Sequence, residues 1–356
     1  MAFIKLYKDR LKHNYQYLKN LFRENEIEWG VVSKLFCGSP VFIKELHNLG
    51  FREMHDTRIS NLKTIKSIDP EIQTVYIKPP AKRSRSSIIK YADVSFNTDL
   101  QTINWLSEEA VKQNKVHKII IMVEMGDLRE GVMGDQLMEF YEQVFYLPNI
   151  EIIGLGTNLN CLNGIMPNQD KLIQLCLYKQ LIELKFKKTI KWISGGTSVT
   201  LSLLMKHQIP KGVNHFRIGE ALFFANDLFT GEIFEGMQEN VLKLFAEIIE
   251  VNEKPLVPSG EQIENVAGEI PVYPESDYGK TSVRAILDVG LLDINPKFIT
   301  PDDEAIEIIE ASSDMLVVNL KQNPKGYKTG DLVSFSLKYM GALGLMNSDY
   351  IGKVVE

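Results

Sequence analysis

A lysine at the end of an apolar strand is a candidate nucleophile. The chain carries one in Glu28-Trp29-Gly30-Val31-Val32-Ser33-Lys34-Leu35-Phe36-Cys37-Gly38. A run this apolar is usually buried on both faces, as in a parallel sheet. Burial at a strand end can depress an ammonium pKa and make the amine able to attack a carbonyl. Alone, such a lysine more often snorkels to solvent, so the rest of the chain must decide. The second piece is Ser194-Gly195-Gly196-Thr197-Ser198. Two glycines let backbone approach a ligand, and two hydroxyls follow where a helix is predicted to begin, near 198. Exposed amides and the positive end of a helix suit a phosphate. Standing alone, the same run is equally a glycine-rich turn with an ordinary N-cap. An amine opposite a phosphate cradle suggests pyridoxal 5′-phosphate, whose aldehyde needs a lysine and whose phosphate needs such a cradle.

The elements that must hold these residues alternate. Strands are predicted at 28–35, 51–55, 73–78, 93–97, 117–125, 150–158, 189–194 and 215–220. Helical periodicity marks 8–25 (through Leu11, Tyr15, Leu18 and Phe22), 41–49, 57–67, 99–114, 135–146, 169–187 and 198–206. Eight strands alternating with helices predict an α/β fold, a (β/α)8 TIM-type barrel over residues 1–230. An open doubly wound sheet is the competing arrangement, but its Gly-x-Gly-x-x-Gly after the first strand is absent. From about Glu232 the texture changes to short apolar runs at 245–251, 283–289, 306–310 and 315–320. A turn at Asn323-Pro324-Lys325-Gly326 follows, so 231–356 reads as a mostly β domain.

Composition excludes several classes. A net charge of −6 gives no footprint for nucleic acid or an anionic membrane. No segment has the apolar length of a membrane span, and Met1-Ala2-Phe3-Ile4-Lys5 is not a signal peptide. Cys37, Cys161 and Cys176 are odd in number and far apart, as expected of free thiols in a reducing cytoplasm. The six histidines lack metal-ligand spacing, so no metal site is expected.

Active sites of this barrel form where strands end. The polar residues there are His55-Asp56-Thr57-Arg58, Glu124 to Gly131, Thr157-Asn158-Leu159-Asn160 and Arg217-Ile218-Gly219-Glu220. With Lys34 and the 194–198 turn, they lie in the order found in the alanine racemase family of barrel-type pyridoxal phosphate enzymes. The chain resembles that family, and within it the ornithine racemase branch. The β domain adds a likeness through Arg284-Ala285-Ile286-Leu287 and residues 303–314. The resemblance implies that Lys34 is the Schiff-base lysine and one of two acid–base groups. Thr197 and Ser198, with amides around Gly219 and Glu220, would hold the phosphate, and Arg217 would face the pyridine nitrogen. Asp56, Arg58, Asn158, Ser194 and Gly196 join this cofactor-binding set. Arg129 would bind the substrate carboxylate through its planar fork of donors. Outside that context Arg129 and Arg217 would read as surface cations paired to Glu124 and Glu220.

The pattern also breaks. In alanine racemase the second base is a tyrosine in a Val-Ser-Tyr-Gly turn of the partner subunit, and no such turn occurs here. Tyr278, Asn265 and Tyr273 are the candidates. A histidine is replaced by Asn158 and a lysine by Met122. Asp127, Glu130 or Asp293 could meet a substrate side-chain ammonium. The expected function is a two-base amino-acid racemase working through a Lys34 aldimine on ornithine or another basic amino acid, in a head-to-tail homodimer. The alternatives are an alanine or broad-specificity racemase, or a non-catalytic protein that carries pyridoxal phosphate in cofactor homeostasis.

Overall fold

In chain order the first strand, β1 (Phe3–Leu6), precedes a set of parallel strands: β2 (Glu28–Val32), β3 (Glu53–Asp56), β4 (Gln73–Tyr76), β5 (Val94–Asn97), β6 (His117–Met122), β7 (Ile150–Gly156), β8 (Trp192–Ser194), β9 (Gly196–Thr197) and β10 (His215–Ile218). The computed structural model describes residues 2–264, 268 and 270–356. It divides into two compact units, one of Asp9–Glu239 and one of Met1–Lys8 with Asn240–Glu356.

In the first unit the neighbours run β8-β7-β6-β5-β4-β3-β2-β10-β9. β10 pairs parallel with β2, with Arg217 opposite Gly30 and Ile218 opposite Val31. β8 and β9 are separated by Gly195 alone, and they pair with β7 and β10 respectively. The stretch 192–197 therefore bridges both edges and completes the barrel expected from the alternating pattern. All four residues of β5 and of β10 are buried, apolar Val94, Phe96, Phe216 and Ile218 alternating with polar Ser95, Asn97, His215 and Arg217. Val75, Val94, Phe96, Ile120, Met122, Ile153 and Trp192 form one continuous core cluster. The intervening helices turn one apolar face inward, as Lys8–Glu24 does with Leu11, Leu18 and Phe22.

The strands expected at 28–35 and 117–125 stop furthest short of their expected ends, at Val32 and Met122. β2 ends at Val32, where Ser33 takes up helical backbone and Lys34–Phe36 form a single 3₁₀ turn that closes on Cys37 at φ 48°. β6 ends at Met122, and the segment beyond it turns back so that Val123 bridges to Val132. The helix expected at 198–206 opens as a 3₁₀ turn, Ser198–Thr200, and continues as Leu201–Met205.

The second unit is mostly antiparallel: β11 (Leu242–Pro255), β12 (Thr281–Leu287), β13 (Ile299–Pro301), β14 (Glu307–Ala311), β15 (Leu316–Asn319) and β16 (Leu332–Leu337), with β17 (Gly352–Val355) near the C-terminus. The order is β13-β16-β11-β12-β15-β14, and a helix, Tyr339–Asn347, precedes β17. β1 belongs here rather than to the barrel. It pairs antiparallel with β11 and parallel with β17, burying Ile4 and Leu6. The division expected at residue 230 is drawn by these contacts at 239/240, with the first eight residues moved across it. Among the described residues no helix is long and apolar enough to cross a membrane, and the three cysteines are free thiols.

Candidate active site

Lys34 lies two residues beyond β2, and its side chain is exposed rather than buried as the apolar run suggested. Its position is fixed from below. The Ser33 hydroxyl donates to the Asp56 carboxylate at 2.8 Å, and the Ser33 amide donates to the His55 carbonyl at 2.8 Å. Asp56 is wholly buried and also accepts from the amides of Thr57 and Arg58 and from the Asn61 amide group. Burial pushes its pKa up, against four donors that favour the charged form. The side chain of Asp56 is thus spent on shaping the turn after β3 and tying it to the lysine's turn. Arg58 stands exposed at the start of helix Ile59–Ile68, close enough to Tyr76 for its charge to be felt there.

Beside Lys34 the end of β10 delivers Gly219 and Glu220. Burial raises the Glu220 pKa, opposed by a bond from Asn226 and by the charge of Lys34. The Ser198 hydroxyl accepts from the amides of Gly219 at 3.4 Å and Ala221 at 3.1 Å. Thr197 caps the following turn reciprocally with Thr200. The glycines of this turn have a different cause from the one their sequence suggested. A Cβ on Gly196 would lie 2.3 Å from ring atoms of the buried Phe216, and one on Gly195 would lie 3.0 Å from Leu172. Both glycines are required by packing inside the barrel wall. Gly196→Ala is accordingly expected to cost about 3 kcal/mol, the upper end for overpacking, in a urea melt.

Arg217 is only 4% exposed. Its Nη1 donates to the carbonyl and the hydroxyl of Ser194, both at 2.7 Å, and its Nη2 donates to the Thr157 carbonyl at 2.8 Å. These bonds commit at most three of its five N–H groups. Burial lowers the guanidinium to about 10, still well above neutrality. The Phe96 ring lies 5.3 Å away. Arg217 is therefore not a surface cation, and Glu220 is not its partner.

Arg129 is half-buried, and its fork is engaged by Glu130 instead of Glu124; a third N–H meets the Cys161 sulfur. The Glu130 bonds raise the Arg129 pKa. Asn158 reaches Glu130 at 3.4 Å, so Arg129, Glu130 and Asn158 form one cluster. Glu124 is occupied by the amides of Gly126 and Leu128. Asp127 is buried and accepts from the amides of Cys161, Leu162, Asn163 and Ile165, which organise the loop after β7. Burial would raise its pKa, but those amides outweigh it and hold the group below its usual range. It has no remaining edge for a substrate ammonium.

Three expected residues lie in the other unit. Tyr278 is exposed after the turn Glu275–Asp277, Tyr273 is half-buried, and Asp293 accepts from the Ser348 hydroxyl. Asn265 lies outside the described residues. Sequence reasoning missed Glu53 and His215. Glu53 bonds to both His55 and His215, and His215 bonds to Ser194. The signal present was the two-residue spacing of Glu53 and His55, and of His215 and Arg217, which puts each pair on one face of a strand.

A pyridoxal phosphate would find matching partners here. The Thr157 hydroxyl is buried beside Arg217 without a hydrogen-bond partner, guanidinium N–H groups are left over, and two amides converge on the Ser198 hydroxyl. The donor set is that of an anion at one end and a ring acceptor in the middle.

Comparison with known proteins gives the same frame. The family model "Alanine racemase, N-terminal domain" matches residues 6–227. The chain is 34% identical to ornithine racemase from Acetoanaerobium sticklandii over 346 residues, 97% of each chain. It is 30% identical to lysine racemase from Thermotoga maritima over 325 residues, 91% of this chain and 90% of the relative. The fold matches alanine racemase from Bartonella henselae with covalently bound pyridoxal phosphate, at a TM-score of 0.73 and 14% identity, covering 100% of this chain and 99% of that one. A model matched across more than half the residues, joined by relatives alike from end to end, places this chain in the alanine racemase family.

Proposed function

We propose that the chain is a pyridoxal 5′-phosphate-dependent amino-acid racemase acting on ornithine or another basic amino acid in the cytoplasm. The observation that carries this reading is the grouping, at the C-terminal ends of the barrel strands, of Lys34, the Ser198 amide cluster and the buried Arg217. The names of the two full-length relatives support the substrate class.

Bound pyridoxal phosphate would supply an aldehyde for amine exchange and a conjugated ring that accepts the electron pair of a broken Cα–H bond. Ser198, Thr197 and the amides of Gly219 and Ala221 would hold its phosphate. Arg217 would donate to the ring nitrogen without giving up its proton, since a guanidinium is a donor only. Keeping that nitrogen unprotonated restrains charge flow into the ring and favours return of the proton to Cα. Lys34 would hold the proton on one face. Arg129, its plane fixed by Glu130, would offer its remaining N–H groups to the substrate carboxylate.

On the opposite face we assign the proton to Tyr278, an exposed phenol, contributed by a partner subunit in a head-to-tail homodimer. The exposure of Lys34 in the single chain supports such a cover, because charge and proton steps gain from exclusion of water.

The test is incubation of the holoenzyme with single enantiomers of ornithine, lysine, arginine, alanine and serine, followed by chiral chromatography. The expected result is the mirror form of ornithine or lysine, at kcat/KM about 100-fold or more above alanine, as hydrogen-bonding sites discriminate. Preference for alanine overturns the substrate, and no mirror form from any of them overturns the function.

A further inference from the structure

The buried polar residues beneath Arg217 form one continuous line. From Arg217 Nη1 it passes to Ser194 Oγ at 2.7 Å, to His215 Nδ1 at 2.7 Å, and from His215 Nε2 to Glu53 Oε1 at 2.7 Å. His55 Nε2 meets the same Glu53 oxygen at 2.6 Å, and Gln73 donates to the other oxygen at 2.6 Å. Ser194, His55 and His215 are wholly buried, and Trp192 stacks on the His215 ring with centroids 4.2 Å apart.

Donor and acceptor roles along the line follow from chemistry. A guanidinium only donates and a carboxylate only accepts. Arg217 therefore donates to Ser194, whose own hydroxyl proton is left for His215 Nδ1. His215 and His55 each direct an Nε2–H at Glu53. Every link is satisfied in one direction, from cation to anion.

Glu53, His55 and His215 also have the ligand types of a metal centre, within 4.8 Å of one another. The separations of 2.6 and 2.7 Å to one oxygen are instead those of completed hydrogen bonds. Burial would raise the Glu53 pKa, but its bonds with His215 and His55 outweigh that and hold it well below the usual carboxylate range. Burial lowers His55, consistent with a neutral ring.

The charges of Glu130 and Arg129 also reach Arg217, with opposite effects. We propose that Ser194, His215 and Glu53 are positioning residues for Arg217: the relay adds the counter-charge of Glu53 to a buried guanidinium that, among the described residues, hydrogen-bonds to no carboxylate, and so restrains its acidity. A guanidinium stripped of that charge donates more strongly to whatever acceptor faces it. On the reading of Arg217 given under Proposed function, on which the catalytic part of this inference rests, the consequence is loss of fidelity. More of the proton would be delivered to the cofactor's aldehyde carbon instead of Cα; water would then release the keto acid while the amino group stays on the cofactor, so the readout is keto acid released per enantiomer formed.

Glu53→Gln is nearly isosteric. With the Gln73 amide turned over, the hydrogen bonds survive and only the charge is removed. Ser194→Ala cuts the line and leaves the Glu53–histidine pair intact. In the holoenzyme each substitution is expected to raise the keto-acid ratio about tenfold, as a guanidinium more acidic by roughly one pKa unit would. The double variant is expected to match Ser194→Ala alone, since both act through one path. An unchanged ratio in folded Glu53→Gln, or effects that multiply in the double variant, overturns the proposal.

A second readout uses the cofactor-free protein. The ¹⁵N shifts of His215 should report the neutral ring protonated at Nε2, and protonation at Nδ1 overturns the relay. One equivalent of tightly held metal in the purified protein, lost in His215→Gln, also overturns it. If the wild-type protein forms neither mirror amino acid nor keto acid, the proposed function falls, and the His215 tautomer decides the relay by itself.

Discussion

Lys34→Ala is expected to abolish interconversion of enantiomers, lowering kcat about 10⁴-fold or more, because in the proposed function it removes both a covalent partner and a proton carrier. Stability should stay within about 0.5 kcal/mol of the parent, as for other exposed positions. The lysine's turn is held by Ser33, Asp56 and the backbone. The fold will therefore present an intact site without its amine. Chiral chromatography measures the loss. Borohydride treatment of the parent holoenzyme, followed by peptide mapping, should place the fixed label on Lys34. Turnover in the variant within tenfold of the parent, or a label on another side chain, would remove Lys34 from the chemistry.

Arg217→Met should act first on stability. Truncating the guanidinium removes three buried charge-assisted hydrogen bonds, to the Ser194 carbonyl and hydroxyl and the Thr157 carbonyl, and leaves Glu53 without the cation at the other end of its relay. Breaking such a buried, charge-assisted network costs about 3–5 kcal/mol. For a unit of this size that is a drop of roughly 6–20 °C in Tm. Trp29, Trp105 and Trp192 all lie in the barrel unit, so tryptophan fluorescence in a urea melt reports on the barrel itself. Arg129→Met is the contrast. Its side chain is 34% exposed and paired with a neighbour in sequence, and its loss should cost under about 1 kcal/mol while still impairing substrate binding. Equal melts for the two variants would show that burial does not distinguish these arginines.

The barrel was legible because its strands are apolar runs whose burial is local and periodic. The eight runs read between residues 28 and 220 each overlap a strand of the parallel sheet. The errors cluster where backbone leaves the sheet. Apolar character continues through Leu35 and Phe36, yet both residues are buried from a 3₁₀ turn. Val123 and Met125 are buried from a segment that has already turned away. Hydrophobicity reports burial, and only hydrogen bonding reports where a strand stops.

The site was legible in types and order, less so in roles. Asp56 and Asp127 look like ligands in sequence because they are carboxylates at strand ends, but each is saturated by nearby donors. The relay could not be read at all. Glu53 and His215 are 162 residues apart and meet only because β10 and β3 flank β2.

The placement of β1 bears on how the polypeptide is made. Phe3–Leu6 is synthesised well before its partner β17, Phe3 aligning with Gly352. At about 5–20 residues per second, some 350 residues of synthesis leave that segment waiting roughly 17–70 s. Residues 9–239 can condense during this interval, while an apolar tetrapeptide with bare strand edges remains ahead of them. Chaperone engagement early in translation, and aggregation of nascent chains that terminate before β17, are the natural outcome of a sheet whose first and last strands lie side by side.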